Sequence, residues 1–163
     1  MDQLPFSQAC ENNRKPIGAV LARHIKVPAR LLEIGSGTGQ HGYYFSESFP
    51  GLQWQPSDCA ENLPIIRQWV EAAGRDNYAW PLLLDVAHPQ LSAQQYDYLF
   101  SANTLHIMAW AEVEAFFRLV PQMLRGGGLL IVYGPFNYGG AFTSESNARF
   151  DQLLKSRAPH QGI

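Results

Sequence analysis

The stretch Leu31 to Gly42, Leu-Leu-Glu-Ile-Gly-Ser-Gly-Thr-Gly-Gln-His-Gly, constrains the fold of this chain more than any other. Leu31, Leu32 and Ile34 read as a short buried strand, the glycines as a tight turn, and Gly42-Tyr43-Tyr44-Phe45 as the opening of a helix. A strand that passes through a glycine-rich turn into a helix brings unobstructed backbone N–H groups to the electropositive helix end, where they meet a ligand. The bland alternative is a turn that only packs a helix on a sheet, but alternate glycines exceed what one turn requires.

The identity of that ligand turns on one side chain. Gly37, Gly39 and Gly42 satisfy G-x-G-x-x-G, so a nicotinamide or flavin dinucleotide has to be weighed. Glu33, at the strand end beside the loop, argues against it: a carboxylate repels a pyrophosphate and attracts the ammonium of an amino-acid moiety. Glu33 followed by Gly35, Gly37 and Gly39 resembles the first motif of class I S-adenosylmethionine-dependent methyltransferases, whose cofactor carries an ammonium and no phosphate.

Composition narrows the setting. The 163 residues are enough for one domain with a real core, and 46% hydrophobic against 16% charged residues is globular. The net charge is −2 and Lys and Arg never cluster, which disfavours nucleic acid as a partner. Cys10 and Cys59 give neither metal spacing nor a disulfide framework, so no metal is expected and a reducing cytoplasm is the simplest location. Asp2 and Glu11 fall where a signal peptide needs an apolar core, and no apolar run approaches the ~20 residues of a membrane span. No membrane partner is expected.

The remaining segments alternate between strand and helix signals. A polar segment from Phe6 leads into a helix with Ile17, Val20, Leu21, His24 and Ile25 on one face. Residues 1–28 form an N-terminal lid segment and helix, in which Asn13 and Arg14 read either as solvated linker or as part of a lid carrying Arg14 to a cofactor carboxylate. A second strand around Leu52-Gln53-Trp54 ends in Ser57-Asp58, and Asp58 lies near the ~20-residue spacing at which an acid accepts hydrogen bonds from a ribose. Its alternative is to start the helix marked by Leu63, Ile66 and Val70, which Gly74 ends.

Tyr78 to Val86 is the third strand, with Leu82, Leu83 and Leu84 as an apolar run buried on two sides. Asp85 at its end can accept the exocyclic amine of an adenine, with Val86 flanking the ring. The fourth strand, Asp97 to Asn103, delivers Asn103 and His106 to the ligand crevice, where His106 is the candidate general base because its ordinary pKa lies near neutrality. A lone His after a strand is also commonly a structural residue. Ala111 to Leu124 is an amphipathic helix with Val113, Phe116, Phe117, Val120 and Leu124 facing the core, ended by Gly126-Gly127-Gly128. Leu129 to Tyr133 is the fifth strand, followed by a glycine- and aromatic-rich loop and a last helix through Leu154.

A second, more specific resemblance rests on Asn13-Arg14 with Pro16-Ile17, Glu33 to His41, Trp54-Gln55-Pro56-Ser57-Asp58, Asn103 with His106-Ile107, Tyr133-Gly134-Pro135-Phe136, and Ser146-Asn147 before Phe150-Asp151. Together these resemble an uncharacterised methyltransferase-like family, long catalogued as a domain of unknown function. The match runs from about residue 6 to the end. The resemblance implies an α/β fold, a Rossmann-like, doubly wound and mostly parallel sheet of about five strands with helices on both faces. It implies S-adenosyl-L-methionine as cofactor, held by Arg14, Glu33, Gly35, Ser36, Gly37, Gly39 and Gln40 at the methionine end, Asp58 at the ribose and Asp85 and Val86 at the adenine. Asn103, His106 and Tyr133 then face the reacting centre, where a methyl passes to N, O or S of a small-molecule acceptor.

Class I methyltransferases usually add a two-strand hairpin beyond the last helix seen here, so 1–163 is expected to be a C-terminally truncated domain. Its fifth strand would keep a bare edge that permits a dimer. Two other readings stay open: a non-catalytic adenosylmethionine- or partner-binding module, and a nicotinamide-dependent oxidoreductase.

Overall fold

A computed structural model of the chain describes residues 4–90 and 94–163. Five strands, β1 (Ala29–Ile34), β2 (Leu52–Asp58), β3 (Leu82–Leu83), β4 (Tyr96–Ala102) and β5 (Leu124–Tyr133), form one sheet in the order β3-β2-β1-β4-β5. Every adjacent pair is parallel. The chain starts at the centre, moves outward to β3 and returns across β1 to β4, so the strand order reverses between β1 and β4. A crevice opens at the carboxyl ends of strands on either side of such a reversal.

The helices α1 (Gln8–His24), α2 (Gln40–Ser48), α3 (Leu63–Ala73), α4 (Trp110–Met123) and α5 (Glu145–Arg157) complete the fold. Along β1 successive side chains point to opposite faces, and two cores follow from that alternation. Leu31 packs with Trp54, Phe100, Leu21 of α1, Phe45 of α2 and Ile66 of α3. Leu32 and Ile34 pack with Leu99, Phe116, Leu119 and Met123, the last three from α4. The doubly wound expectation holds. Among the described residues no helix is long and apolar enough to cross a membrane.

Four local expectations are corrected. Helix α1 begins at Gln8, not near Ile17, and runs through Pro16. Ser7 caps it, accepting the Cys10 N–H at 3.4 Å, and docking on α2 holds the turns before Pro16, which lacks the N–H for its own helical bond. Asn13 is therefore a buried helical residue and Val20 an exposed one. The third strand shrinks to two residues at the sheet edge, leaving Leu82 and Leu83 42% and 52% exposed, because among the described residues no strand pairs beyond it. Phe117 stays 48% exposed while its neighbour Phe116 is fully buried, so α4 covers the sheet with one narrow stripe. Gly126 to Gly128 lie inside β5, which follows α4 without a loop. A Cβ on Gly128 would come within 2.6 Å of the Asp97 carbonyl, which is why the strand approaches β4 so closely there.

Candidate cofactor-binding site

A cavity of about 350 Å³ lies at the carboxyl ends of β1, β2 and β4 under the first turn of α1. The glycine turn forms its floor. Gly35 and Ser36 both donate their N–H to the Ser57 carbonyl at 3.0 Å, and Ser57 N–H returns to Ser36 Oγ at 3.1 Å, tying the turn to β2. Gly35 has φ +75°, and a Cβ there would meet Thr104 Cγ2 at 2.5 Å. Gly37 also has positive φ, +57°, but a Cβ on it would meet nothing within 4 Å. One glycine serves packing and the other leaves room for a ligand.

Asp58, at the end of β2, stands over this turn. Its carboxylate accepts the Gly37 N–H at 2.7 Å, the Cys59 N–H at 2.8 Å and Asn62 Nδ2 at 2.9 Å. A carboxylate has about four acceptor positions, so one is left for a ligand hydroxyl. Asn103 lines the opposite wall with φ +56°, a conformation strained for a non-glycine residue and held by its N–H donating to the Tyr133 carbonyl at 2.8 Å. Gly35, Ser36, Gly37, Asp58 and Asn103 are thus brought together as the sequence predicts.

Other predicted residues lie elsewhere. Glu33 does not line the cavity: it is 1% exposed on the Leu31 face of β1, where Trp54 Nε1 donates to it at 2.9 Å and His41 Nδ1 lies at 3.7 Å. Strand alternation sets its direction, so its carboxylate neutralises a buried ring instead of facing an ammonium. Arg14 pairs with Glu11 and stacks over the Tyr44 ring at 4.1 Å, outside the cavity. Gly39 caps α2, and its carbonyl accepts the hydroxyl of buried Tyr78 at 2.8 Å. Gln40 is fully buried and receives the Ser7 N–H and Thr38 Oγ1, fastening α1 to α2.

Asp85 lines an adjoining hollow with Cys59, Glu61 and His88, while Val86 is buried in the α4-side core. The Ala87 N–H at 2.8 Å and His88 hold the Asp85 carboxyl below its usual range. Tyr133 is 39% exposed and lines neither the cavity nor that hollow.

His106 sits on a 3-10 turn, Leu105–Ile107, that divides two spaces. Ile107 faces the cavity, and His106 faces an apolar hollow of about 520 Å³ with Trp110, Phe117, Phe136 and Lys155. Burial pushes the His106 pKa down, so its ring is neutral at pH 7. Phe150 packs edge-on at 5.3 Å, and residues 159–163 close the hollow, with Gly162 N–H on the His106 carbonyl at 3.0 Å.

Sequence reading missed Cys10, His41 and Thr104, all of which line the cavity. His41 is 3% exposed, with Nε2 2.7 Å from Asn13 Oδ1 and Nδ1 3.9 Å from Cys10 Sγ. Burial by itself lowers its pKa, but the contacts with Cys10 and Glu33 raise it to about 9.

This fold and its carboxyl-end cavity define the class of Rossmann-like proteins to which the class I S-adenosylmethionine-dependent methyltransferases belong. An O-methyltransferase family protein from Burkholderia thailandensis superposes with TM-score 0.76 at 16% identity, covering 95% of this chain and 48% of its own. A protein from Nostoc punctiforme described as an O-methyltransferase gives 0.74 at 18%, covering 93% and 48%. The structure described as PigF with SAH gives 0.71 at 19%, covering 88% and 43%. The chain spans about half the length of these structures or somewhat less. Over residues 4–163 it matches, and belongs to, the family described as "Protein of unknown function (DUF938)".

Proposed function

We propose that the cavity binds S-adenosyl-L-methionine and that the domain transfers its methyl group to a small-molecule acceptor. The observation that carries this reading is the character of the wall: a glycine turn and the Asp58 carboxylate, with no Lys or Arg among the described lining residues. A dinucleotide pyrophosphate would find the Asp58 carboxylate there and no lysine or arginine among the described lining residues, the His41 ring being paired with Glu33. A phosphate-free, positively charged cofactor would find backbone, an acceptor and about 350 Å³, within the ~300–1,000 Å³ usual for cofactor sites. That PigF, a structural neighbour, was solved with SAH supports the same reading.

When bound, the cofactor supplies a methyl already activated on a sulfonium sulfur, so the protein's work is positioning and exclusion of water. Asp58 accepts hydrogen bonds from ribose hydroxyls. Gly35 to Gly37 present backbone to the methionine end, and Asn103 orients the reacting side. Neutral His106 takes the proton of an N–H, O–H or S–H acceptor in the apolar hollow, one residue along the turn from cavity-lining Ile107. The location of His106 and Tyr133 outside the cavity favours, as a second reading, a binding module without turnover.

Calorimetric titration with S-adenosylhomocysteine tests the proposal. Saturable one-site binding is expected, together with competition by S-adenosylmethionine and none by NADH. Absence of binding overturns it, and binding without methyl transfer to any small molecule in a cell extract leaves the binding-module reading. On the same reading the outer edge of β5, which pairs with no strand but β4 among the described residues and has Leu129 43% exposed, permits a dimer, which sedimentation over a range of concentrations would detect.

A further inference from the structure

One wall of the cavity carries a sulfur that methyl transfer leaves idle. Cys10 lies in the first turn of α1, half-buried and lining the cavity, with its Sγ 3.9 Å from His41 Nδ1. His41 stacks on Phe45 at 5.7 Å and meets the edge of Phe100 at 5.9 Å, so its ring is fixed. Both ring nitrogens face acceptors: Nε2 faces Asn13 Oδ1 at 2.7 Å, and Nδ1 faces Glu33 Oε1 at 3.7 Å as well as the sulfur. A ring so flanked is held as the imidazolium, in agreement with its raised pKa of about 9. An imidazolium beside the sulfur and the N-terminal turn of a helix are the surroundings in which cysteine sulfurs act as nucleophiles.

We infer that Cys10 is the reactive nucleophile of this chain, a modification site that takes soft electrophiles, with His41 as its counter-ion and the cavity as its entrance. Four elements present charged or titratable groups around the pair. Glu33 of β1 shares the imidazolium from the buried side, and Asp58 of β2 lies on the same cavity wall. The Glu11–Arg14 pair of α1 with Tyr44 of α2 lies outside the cavity, and Tyr78 is near enough to feel the Glu33 charge. Cys59 is a control within the same molecule. It is more exposed, yet burial of its thiol and the carboxylates of Asp58, Asp85, Glu61 and Glu112 push its pKa up. Exposure alone favours Cys59 as the reactive thiol, whereas the adjoining imidazole and the helix turn favour Cys10.

With iodoacetamide as probe, the anionic sulfur attacks the methylene carbon, a C–S bond forms, the C–I bond breaks, and iodide leaves with the electron pair. The purified 163-residue chain would be pulsed with iodoacetamide from pH 5 to 9 and both cysteines quantified in the same molecules by peptide mass spectrometry. At pH 7 Cys10 is expected to react about 10-fold faster than Cys59 or more. His41→Asn should bring Cys10 down to the Cys59 rate and leave Cys59 unchanged. Should that variant not fold, Asn13→Ala, which removes the Nε2 acceptor, has to slow Cys10 selectively.

Equal or faster reaction of Cys59 in the native chain overturns the inference, as does an unchanged Cys10 rate in a folded His41 variant. Bound S-adenosylhomocysteine should shield Cys10 and leave Cys59 open. A fast Cys10 that the nucleoside leaves unshielded upholds this inference and counts against the cofactor reading. A slow Cys10 in a chain that binds the nucleoside does the reverse.

Discussion

Asp58 shows how one side chain can serve both the loop and the ligand. Three donors already hold its carboxylate, so Asp58→Ala removes a ribose acceptor and also frees the Gly37 N–H of the glycine turn. Its affinity for S-adenosylhomocysteine should fall by roughly 1–3 kcal/mol in a calorimetric titration, and unchanged affinity would remove Asp58 from the site. Trp54 bears on stability instead. Its indole N–H donates to the buried Glu33 carboxylate, and Trp54→Phe leaves that carboxylate short of a donor, for a loss of roughly 2–4 kcal/mol in urea unfolding. His41 makes stability depend on pH. Its folded pKa of about 9 lies above the ordinary value of 6.5, so its contribution is complete below pH 6.5 and is lost as pH rises through 9. The melting temperature should fall by on the order of 5 °C between pH 6.5 and 9.5, and the His41→Asn variant should lack that part of the fall.

At the level of elements, the turn between β1 and α2 contains glycines with different duties. Gly35→Ala drives a methyl into Thr104, 2.5 Å away, in a left-handed conformation, and should cost roughly 2–4 kcal/mol of stability. Gly37→Ala meets no protein atom and should cost only about 1–2 kcal/mol of backbone strain, but its methyl protrudes beside the cavity. Urea unfolding paired with S-adenosylhomocysteine titration separates the two. Gly35→Ala is expected to lose more stability, and Gly37→Ala to lose binding out of proportion to stability. Equal effects of both on both measurements would mean that the turn does not contact the ligand.

For the whole molecule, the sheet divides the interior into two cores, one on each of its faces. Ile66→Val lies in the core under α1 to α3, and Ile34→Val in the core under α4. Each should cost about 1 kcal/mol, and the double variant their sum within ~0.5 kcal/mol. A larger deviation in denaturant unfolding would show that the two faces are coupled.

How much of this was legible in the sequence depended on how far a residue's role rests on distant partners. Leu31 to Gly42 reads as strand, turn and helix because apolar pattern and glycine spacing are local properties, and Asp58 follows from its place at a strand end. The parallel order of the strands follows from the alternation of strand and helix signals. The surroundings of Glu33 were not legible, because its neighbours in sequence are the glycines, whereas its neighbour in space is Trp54, which pairs in register with Leu31 and lies on the same face of the sheet. The contacts of Cys10 and Asn13 with His41 carried no sequence signal, since α1 and α2 meet 28 to 31 residues apart in the chain. Local periodicity and turn chemistry are written in the order of residues, and they determined the fold class and the place of the crevice. Which side chains enter that crevice, and which charges meet beneath it, was decided only when helices docked on the sheet, because electrostatic contact depends on distance in space and not on separation along the chain.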